Sequence, residues 1–390
     1  MSPLPPTLPL SRQGAEVILG DSREINQLAV PLAVTATTMF GPRSACLISE
    51  NGPLWVSDTG HHRLLGWRQR PQIDNQPADW VIGQPDFNSE GKNAKGAPGP
   101  ATVSVPTGIG ICGEGLAVAD AWNHRVLIWK KVPKDHNVPA DLVLGQADFT
   151  QNQPNRGSLE AAANTMHWPY GFLFYQGQLM VADTGNRRVL IWYQLPQENG
   201  QPADLVLGQP DLISRNENGG AAASASSMRW PHAIAVWGEH LVVADAGNNR
   251  LMIWQGIPTE NNAACAVVLG QNSFNEVELN QGVYWPSASS LSMPYGVAVK
   301  DDWLVVADTA NSRLLGWQRR SNEVLTKNLM GAIADALTGQ LNFQSKGENR
   351  FFGFPERDSL CWPYAIQICQ NTAVIADSGN NRILLWQWQS

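Results

Sequence analysis

The chain has 390 residues, of which 43% are apolar and 16% are charged, with 35 glycines and 26 prolines. This composition is typical of a large, turn-rich folded protein, and it excludes a disordered chain, which would carry few apolar residues and a high charge. The net charge of −7 disfavours nucleic acid as a partner, since that binding needs clustered lysines and arginines. No apolar run reaches the length of about 18 residues that a membrane-spanning helix needs.

The first segment, residues 1–14, is proline-rich and lacks the basic start and apolar centre of a secretory signal, so we expect it to be flexible. Residues Ala15–Ser22 follow as AEVILGDS, which predicts one apolar strand without a neighbouring partner strand. The five cysteines are odd in number and show no CxxC spacing. They predict free thiols in a cytoplasmic protein.

A ten-residue phrase then recurs six times along the chain. The copies are DTGHHRLLGW from Asp58, DAWNHRVLIW from Asp120, DTGNRRVLIW from Asp183, DAGNNRLMIW from Asp245, DTANSRLLGW from Asp308 and DSGNNRILLW from Asp377. In copies two to six a proline stands 14 residues before the aspartate, as Pro169 does before Asp183. A phrase such as LVLGQADF follows every copy but the last, and its fifth version is the degenerate NLMGAIAD.

Each copy predicts a set of short strands separated by turn residues. In the third copy the apolar runs are Gly171–Tyr175, Leu179–Ala182 and Val189–Trp192, and the phrase ending in Val-Leu-Gly-Gln supplies a fourth strand. Short β-forming runs divided by Gly, Asp and Asn indicate an antiparallel meander. Six four-stranded units at a fixed period predict an all-β fold, a six-bladed β-propeller.

The sixth copy lacks a fourth strand, which predicts how the ring of blades closes. The strand at residues 15–22 can complete blade six and so remove an exposed sheet edge. We therefore expect one propeller domain over residues 1–390. Its blades are expected over residues 42–87, 106–149, 169–212, 231–274, 294–335 and 363–388.

The Asp-x-Gly-Asn-x-Arg-Val phrase, preceded by Pro-x-Gly, resembles the NHL repeat, and the VLGQPDF-like phrases resemble bacterial NHL-repeat proteins in particular. The resemblance covers residues 15–388 and implies a six-bladed propeller. It leaves function open, because the family includes RNA-binding modules, interaction domains of larger proteins and a metal-dependent lyase that cleaves hydroxyglycine-ended peptides.

Groups that occur in every copy are expected to serve the fold, whereas a functional site should occur once. An arginine stands five residues after each aspartate, as in Asp183 and Arg188, and this spacing predicts a structural pair across a tight turn. The tryptophan that ends each third strand is predicted to be packing. These tryptophans are Trp67, Trp129, Trp192, Trp254, Trp317 and Trp386.

Function is therefore expected where the copies differ. The residue after each proline begins the innermost strand and can point toward the central opening. These residues are Arg43, Thr107, Tyr170, His232, Tyr295 and Tyr364. A ring of phenols, an imidazole, a guanidinium and a hydroxyl suits a small polar or anionic ligand. The alternative is that the tyrosines only fill a solvated channel.

The long connections between blades are a second candidate, because long loops usually cover or build a site. The last of them, Gly331–Trp362, holds Arg350, Phe351, Phe352, Phe354 and Arg357, which predict either a docking edge or a small satellite core.

Two functions remain open from the sequence. The first is a binding or scaffolding protein that holds a protein or a small ligand at the face formed by these connections. The second is a lyase or hydrolase in which His232 is a general base and Tyr170, Tyr295 and Tyr364 are acid or oxyanion partners. No cofactor motif occurs, and a divalent metal near His232 belongs only to the second function. We favour the binding function.

Overall fold

A computed structural model describes residues 5–20, 33–319, 329–351 and 354–389. Within these ranges the protein is all-β, with six antiparallel sheets of four strands each and short 3-10 turns. The described residues contain no helix with the length and apolarity to cross a membrane. The predicted six-bladed architecture is confirmed.

The strands follow the repeat. Blade one holds β2 (Ser44–Leu47), β3 (Leu54–Asp58), β4 (Arg63–Trp67) and β5 (Trp80–Ile82), and blade two holds β6 (Pro106–Cys112), β7 (Gly115–Asp120), β8 (Arg125–Trp129) and β9 (Leu142–Leu144). Blade three holds β10 (Pro169–Tyr175), β11 (Gln178–Asp183), β12 (Arg188–Trp192) and β13 (Leu205–Leu207), and blade four holds β14 (Pro231–Trp237), β15 (His240–Asp245), β16 (Arg250–Trp254) and β17 (Val267–Leu269). Blade five holds β18 (Pro294–Lys300), β19 (Trp303–Asp308), β20 (Arg313–Gln318) and β21 (Ala336–Thr338), and blade six holds β22 (Pro363–Cys369), β23 (Thr372–Asp377), β24 (Arg382–Gln387) and β1 (Val17–Leu19).

The recurring aspartate fixes which loops share an end of the propeller. In blade three Pro169 lies opposite Asp183, and Asp183 lies opposite Arg188. The inner strand therefore starts at the end of the blade that carries the turn after the aspartate. We call this end the top face. It is formed by the six turns after the aspartates, by residues 33–43, by the connections 83–105, 145–168, 208–230 and 270–293, and by residues 339–351 and 354–362 of the last connection.

The inner strands lie close to one another around the axis, which explains the Pro-x-Gly phrase. A side chain at Gly171 would collide with the backbone oxygen of His232 in the next blade, and one at Gly108 would collide with that of Tyr170. Glycine is therefore required for close approach at these positions.

The N-terminal strand completes blade six, as predicted. β1 pairs antiparallel with β24, with Ile18 opposite Leu384. Residues 21–22 of the predicted strand lie outside the described residues.

Residues 5–14 differ from the flexible segment expected from the sequence. Leu8 and Leu10 are buried in the core between blades five and six, together with Ile18 and Trp388. The backbone oxygen of Ser11 accepts a hydrogen bond of 2.7 Å from the indole nitrogen of Trp386. Proline content suggested flexibility, but two apolar side chains and this hydrogen bond hold the segment against the sheet.

The fourth strand of blade five also differs from the prediction. It is β21, Ala336–Thr338, and not the phrase NLMGAIAD, so blade five extends beyond residue 335. The Gly339-Gln340 pair that follows β21 corresponds to the Gly-Gln pair after the fourth strands of the preceding blades, and Gln340 makes the same contacts, donating 2.7 Å to the oxygen of Gly347. The prediction placed the fourth strand too early because the β20–β21 loop is longer than its counterparts and separates this strand from the rest of the repeat.

The cores lie between adjacent blades. The six tryptophans that end the third strands are all buried, with exposed fractions of 3% or less. In Trp129 the indole nitrogen donates a hydrogen bond of 2.9 Å to the oxygen of Val138 in the next hairpin, and the other five make corresponding bonds. Their predicted packing role is confirmed.

Candidate functional site

The Asp–Arg pairs hold the top-face connections in place. Asp183 is fully buried, and its two carboxylate oxygens accept from the Arg188 Nε (2.8 Å), the Asn186 Nδ2 (2.7 Å) and the amide of His167 (2.7 Å). Arg188 donates to the oxygen of Leu212 in the outgoing connection at 2.5 Å and to that of Thr165 in the incoming one at 3.0 Å. The aspartate–arginine contact recurs in all six blades, at 2.7–3.0 Å. The predicted structural role of these pairs is confirmed.

Five of the six predicted ring residues come together at the top end of the central channel. The His232 ring lies 4.2 Å from the Tyr170 ring and is stacked at 4.2 Å and 3° on Tyr295. The Tyr295 and Tyr364 rings are 4.8 Å apart, and the guanidinium of Arg43 lies 3.6 Å from the centre of the Tyr364 ring. These five side chains all line one cavity.

Thr107, the sixth predicted ring residue, does not line this cavity. Its hydroxyl is buried and donates to the backbone oxygen of Tyr170 in the next blade, at 2.8 Å. A threonine is too short to reach the axis, and its hydroxyl is satisfied by the neighbouring strand. Thr107 therefore links two inner strands.

The ring presents one permanent cation among neutral groups. The His232 Nδ1 lies 2.9 Å from the backbone oxygen of Trp230, which can only accept, so Nδ1 carries the proton and Nε2 is left as an acceptor. Burial lowers the pKa of His232 to about 4, with the hydrogen bond to Trp230 acting against the shift and the charge of Arg43 adding to it, so the imidazole is neutral at pH 7. Burial also raises the pKa of Tyr295 to about 12 and raises the pKa of Tyr170.

The cavity continues below the ring along the inner strands. It has a volume of about 270 Å³. Its lower walls are formed mostly by apolar residues, which are Ile109, Ile111, Phe172, Leu173, Phe174, Ile234, Val297 and Ile366, together with Gln367 and Cys46. Ile111 is 41% exposed. It lines the cavity and stands beside the hairpin turn at the lower end of its strand.

Two buried histidines predict a loss of stability in acid. His124 on the top face accepts the amide of Trp168 through Nδ1 (3.1 Å), and burial, with the charge of His167, lowers the pKa of His124 to about 4. Because the unfolded chain takes up these protons near the ordinary pKa of 6.5, we expect the free energy of unfolding to fall as the pH drops from 6.5 to 4. Each histidine should contribute on the order of 2–3 kcal/mol.

Urea unfolding at pH 7 and at pH 4.5 measures this loss. His124→Asn is the informative variant, because Asn249 occupies the equivalent position in blade four and accepts the amide of Met293 at 2.8 Å. The variant should keep the contact and show a shallower dependence on pH. An unchanged dependence would contradict the assignment to His124.

The top face carries most of the large apolar side chains that are exposed. Among the described residues, 13 of the 17 exposed large apolar side chains lie in its connections and turns. They are Phe40, Trp122, Leu159, Trp168, Ile213, Leu279, Val283, Tyr284, Trp285, Leu341, Phe351, Phe354 and Trp362. Sequence reasoning missed most of these residues, although their position in the long connections was a signal.

A basic and aromatic patch lies on the top face over blades three and four. His167 lies 4.8 Å from Trp168, and Arg229 lies 5.0 Å from Trp230. Burial and the charge of nearby Arg215 lower the pKa of Arg187. We define the blade-three patch as the side chains of His124, His167, Trp168, Arg187, Arg215, Arg229 and Trp230.

The last connection is less basic than its sequence suggested. Arg350 pairs with Asp358 at 2.9 Å, and Arg357 pairs with Asp74 and donates to the oxygen of Ala15 at 2.7 Å. Its two arginines therefore serve local structure, whereas Phe351 and Phe354 are exposed. Phe352 lies outside the described residues.

Groups of three or more His, Cys, Asp or Glu side chains with the geometry to hold a metal ion do not occur among the described residues. All five cysteines are free thiols, as predicted.

Comparison with known proteins defines the fold and no family. No protein-family model matches the sequence, and no curated protein matches it. A structural genomics protein of unknown function from Bacteroides thetaiotaomicron VPI-5482 is similar with a TM-score of 0.50 and 10% identity, over 91% of this chain and 71% of that one. Hydrazine synthase from Kuenenia stuttgartiensis gives 0.47 and 11%, over 92% and 99%. The WD40 β-propeller domain of Doa1 gives 0.46 and 9%, over 100% and 99%. At such identities only the fold is comparable.

Proposed function

We propose that this propeller is a non-enzymatic binding protein that docks a protein partner on its top face. The observation that carries the proposal is the concentration of 13 of 17 exposed large apolar side chains on that face. A concentration of exposed apolar side chains on one face is characteristic of interaction sites, and aromatic residues are enriched there.

The backbone at two of these tryptophans supports the proposal. Trp168 has φ of 51° and Trp362 has φ of 48°, and both side chains are about half exposed. Glycine occupies the corresponding place at Gly41, with φ of 53°. A left-handed conformation costs a bulky residue about 1 kcal/mol or more, and an exposed side chain recovers little of this by packing. The stability of the fold therefore does not explain why tryptophan occupies these two positions.

The blade-three patch supports a partner with acidic groups. Arg187, Arg215 and Arg229 lie near two carboxylates. Glu217 pairs with Arg229 at 2.9 Å, and Asp183 is already neutralised by Arg188. The patch thus has an excess of positive charge in a chain whose net charge is −7. An acidic segment would be attracted to it, and Trp168 would supply apolar contact area.

The chemistry of the ring does not favour the enzyme alternative. A general base works best with a pKa near the working pH, and His232 has a pKa lowered to about 4. Burial raises the pKa of Tyr170 and Tyr295, so these two phenols are protonated and poor proton acceptors at neutral pH.

The proposal also includes the type of repeat and the location of the protein in the cell. The six Asp-x-Gly-Asn-like turns and their Pro-x-Gly strands support an NHL-type repeat of the bacterial kind. The five free thiols support a cytoplasmic location.

Trp168→Ala tests the proposal. We expect the melting temperature to stay within a few degrees of wild type, because the indole is 50% exposed. We expect the affinity for the partner to fall about tenfold or more. The measurement is capture from a cell extract, identification by mass spectrometry, and a Kd with the purified partner by calorimetry.

Ile73→Ala is the matched control, because Ile73 is 65% exposed in a hairpin of the opposite face. Its Kd should equal that of wild type. A partner that is lost with Ile73→Ala and retained with Trp168→Ala would refute top-face docking.

A further inference from the structure

The two ends of the central channel differ in chemistry. The upper end carries Arg43, His232 and three phenol rings, whereas the lower walls are formed mostly by apolar residues such as Ile109, Phe172 and Val297. A channel with polar groups at one end and apolar walls at the other matches a ligand that is itself divided into a polar head and an apolar tail.

The polar end has hydrogen-bonding capacity that the described residues do not use. The Tyr170 hydroxyl is buried and has no hydrogen-bond partner among the described residues. The Arg43 guanidinium stacks on Tyr364 and pairs with no described carboxylate. The Nε2 of His232 is an acceptor that no described group satisfies. A buried hydroxyl without a partner is destabilising, and a residue that only filled the channel would avoid this cost as phenylalanine.

These groups define the head of the ligand. Arg43 and the phenol hydroxyls are donors, which suit a carboxylate, and the guanidinium supplies the opposite charge. Because the Nε2 of the neutral His232 is an acceptor, the ligand should carry a hydrogen-bond donor, such as a hydroxyl or an amine, beside its carboxylate.

The walls and the volume define the tail. At about 270 Å³ the cavity is slightly smaller than the roughly 300–1,000 Å³ of sites for drug-sized ligands. The ring side chains pack closely at the top, and the exposed Ile111 marks an apolar opening below. The ligand therefore enters from the face opposite the top, head first.

We propose that the central channel binds a small amphipathic hydroxy or amino acid, with its carboxylate at Arg43 and Tyr170, its hydroxyl or amine at His232, and its apolar tail among Phe172 and Phe174. This site is separate from the top-face docking surface, and the proposal does not depend on it.

Calorimetry with four probes tests the proposal on the full chain. 2-Hydroxyhexanoate has all three features, lactate lacks the long tail, hexanoate lacks the hydroxyl, and 1,2-hexanediol lacks the charge. We expect 2-hydroxyhexanoate to bind about tenfold or more tightly than each of the others, because each lacks one matched contact. Equal binding of the four probes, or binding of none, would overturn the proposal.

Substitutions locate the bound probe. Arg43→Gln should weaken 2-hydroxyhexanoate by about tenfold or more and leave 1,2-hexanediol unchanged. Tyr170→Phe keeps the ring, so it should fold and weaken only the probes with a carboxylate. Ile73→Ala, an exposed position in the β4–β5 connection, should change neither. If Arg43→Gln and Tyr170→Phe both keep wild-type affinity, the head does not lie at the ring and the proposal fails. Loss of partner docking in Trp168→Ala would bear on the proposed function alone.

Discussion

Deletion of residues 1–22 is expected to leave a protein that aggregates at concentrations where the full chain is soluble. Without β1, the outer edge of β24 loses its partner strand, and exposed edges pair with other chains. The deletion also removes Leu8 and Leu10 from the core between blades five and six, which leaves Trp388 and its neighbours open to solvent. Light scattering and thermal unfolding of the soluble fraction measure the outcome.

A milder variant covers the case in which the deleted protein does not fold. Ile18→Ala should lower the free energy of unfolding by about 2–5 kcal/mol, because Ile18 is fully buried. Arg12→Ala, at an exposed position of the same segment, should have almost no effect. A deleted protein that remains monomeric with an unchanged melting temperature would contradict the pairing of β1 with blade six.

Asp183→Ala is expected to cost about 3–5 kcal/mol of stability, as for one partner removed from a buried ion pair. The substitution removes the carboxylate that accepts from the Arg188 Nε, from the Asn186 side-chain amide and from the His167 backbone N–H. Urea unfolding at pH 7 gives the value.

Asp204→Ala is the matched control in the same blade. Asp204 is exposed and accepts one amide, from Tyr193 at 2.8 Å. We expect it to cost less than about 1 kcal/mol. If the two variants lose the same stability, or if Asp183→Ala stays stable and loses ligand or partner binding, the structural role of the Asp–Arg pairs is wrong.

Most of the architecture was predictable because it repeats. Because the phrase recurs at a fixed period, one copy predicts the strands and turns of every blade. The single strand before the first copy then indicates how the incomplete sixth blade is completed. The prediction went wrong where the period was broken. The β20–β21 loop is longer than the corresponding loops of the other blades, so the fourth strand lies farther along the chain than the period predicts. The Gly339-Gln340 pair marks the true end of this strand.

The site was only partly predictable, because sequence position does not decide where a side chain points. The residue after each proline was expected to face the axis, and Arg43 and Tyr170 do so. Thr107 has the same position in the repeat and bonds to a neighbouring strand. Likewise, nothing in the sequence separated Arg350, which Asp358 neutralises, from Arg187 on the blade-three patch. Such differences depend on partners from distant parts of the chain.

The pairing of β1 with β24 also has a consequence for synthesis of the protein. Ile18 leaves the ribosome early and its partner Leu384 leaves late. At about 5–20 residues per second, roughly twenty to seventy seconds separate the two events. During that interval the first strand must stay unpaired while five blades fold beside it. The rate of ring closure, and protection of this strand by chaperones, should therefore control the yield of native protein in the cell.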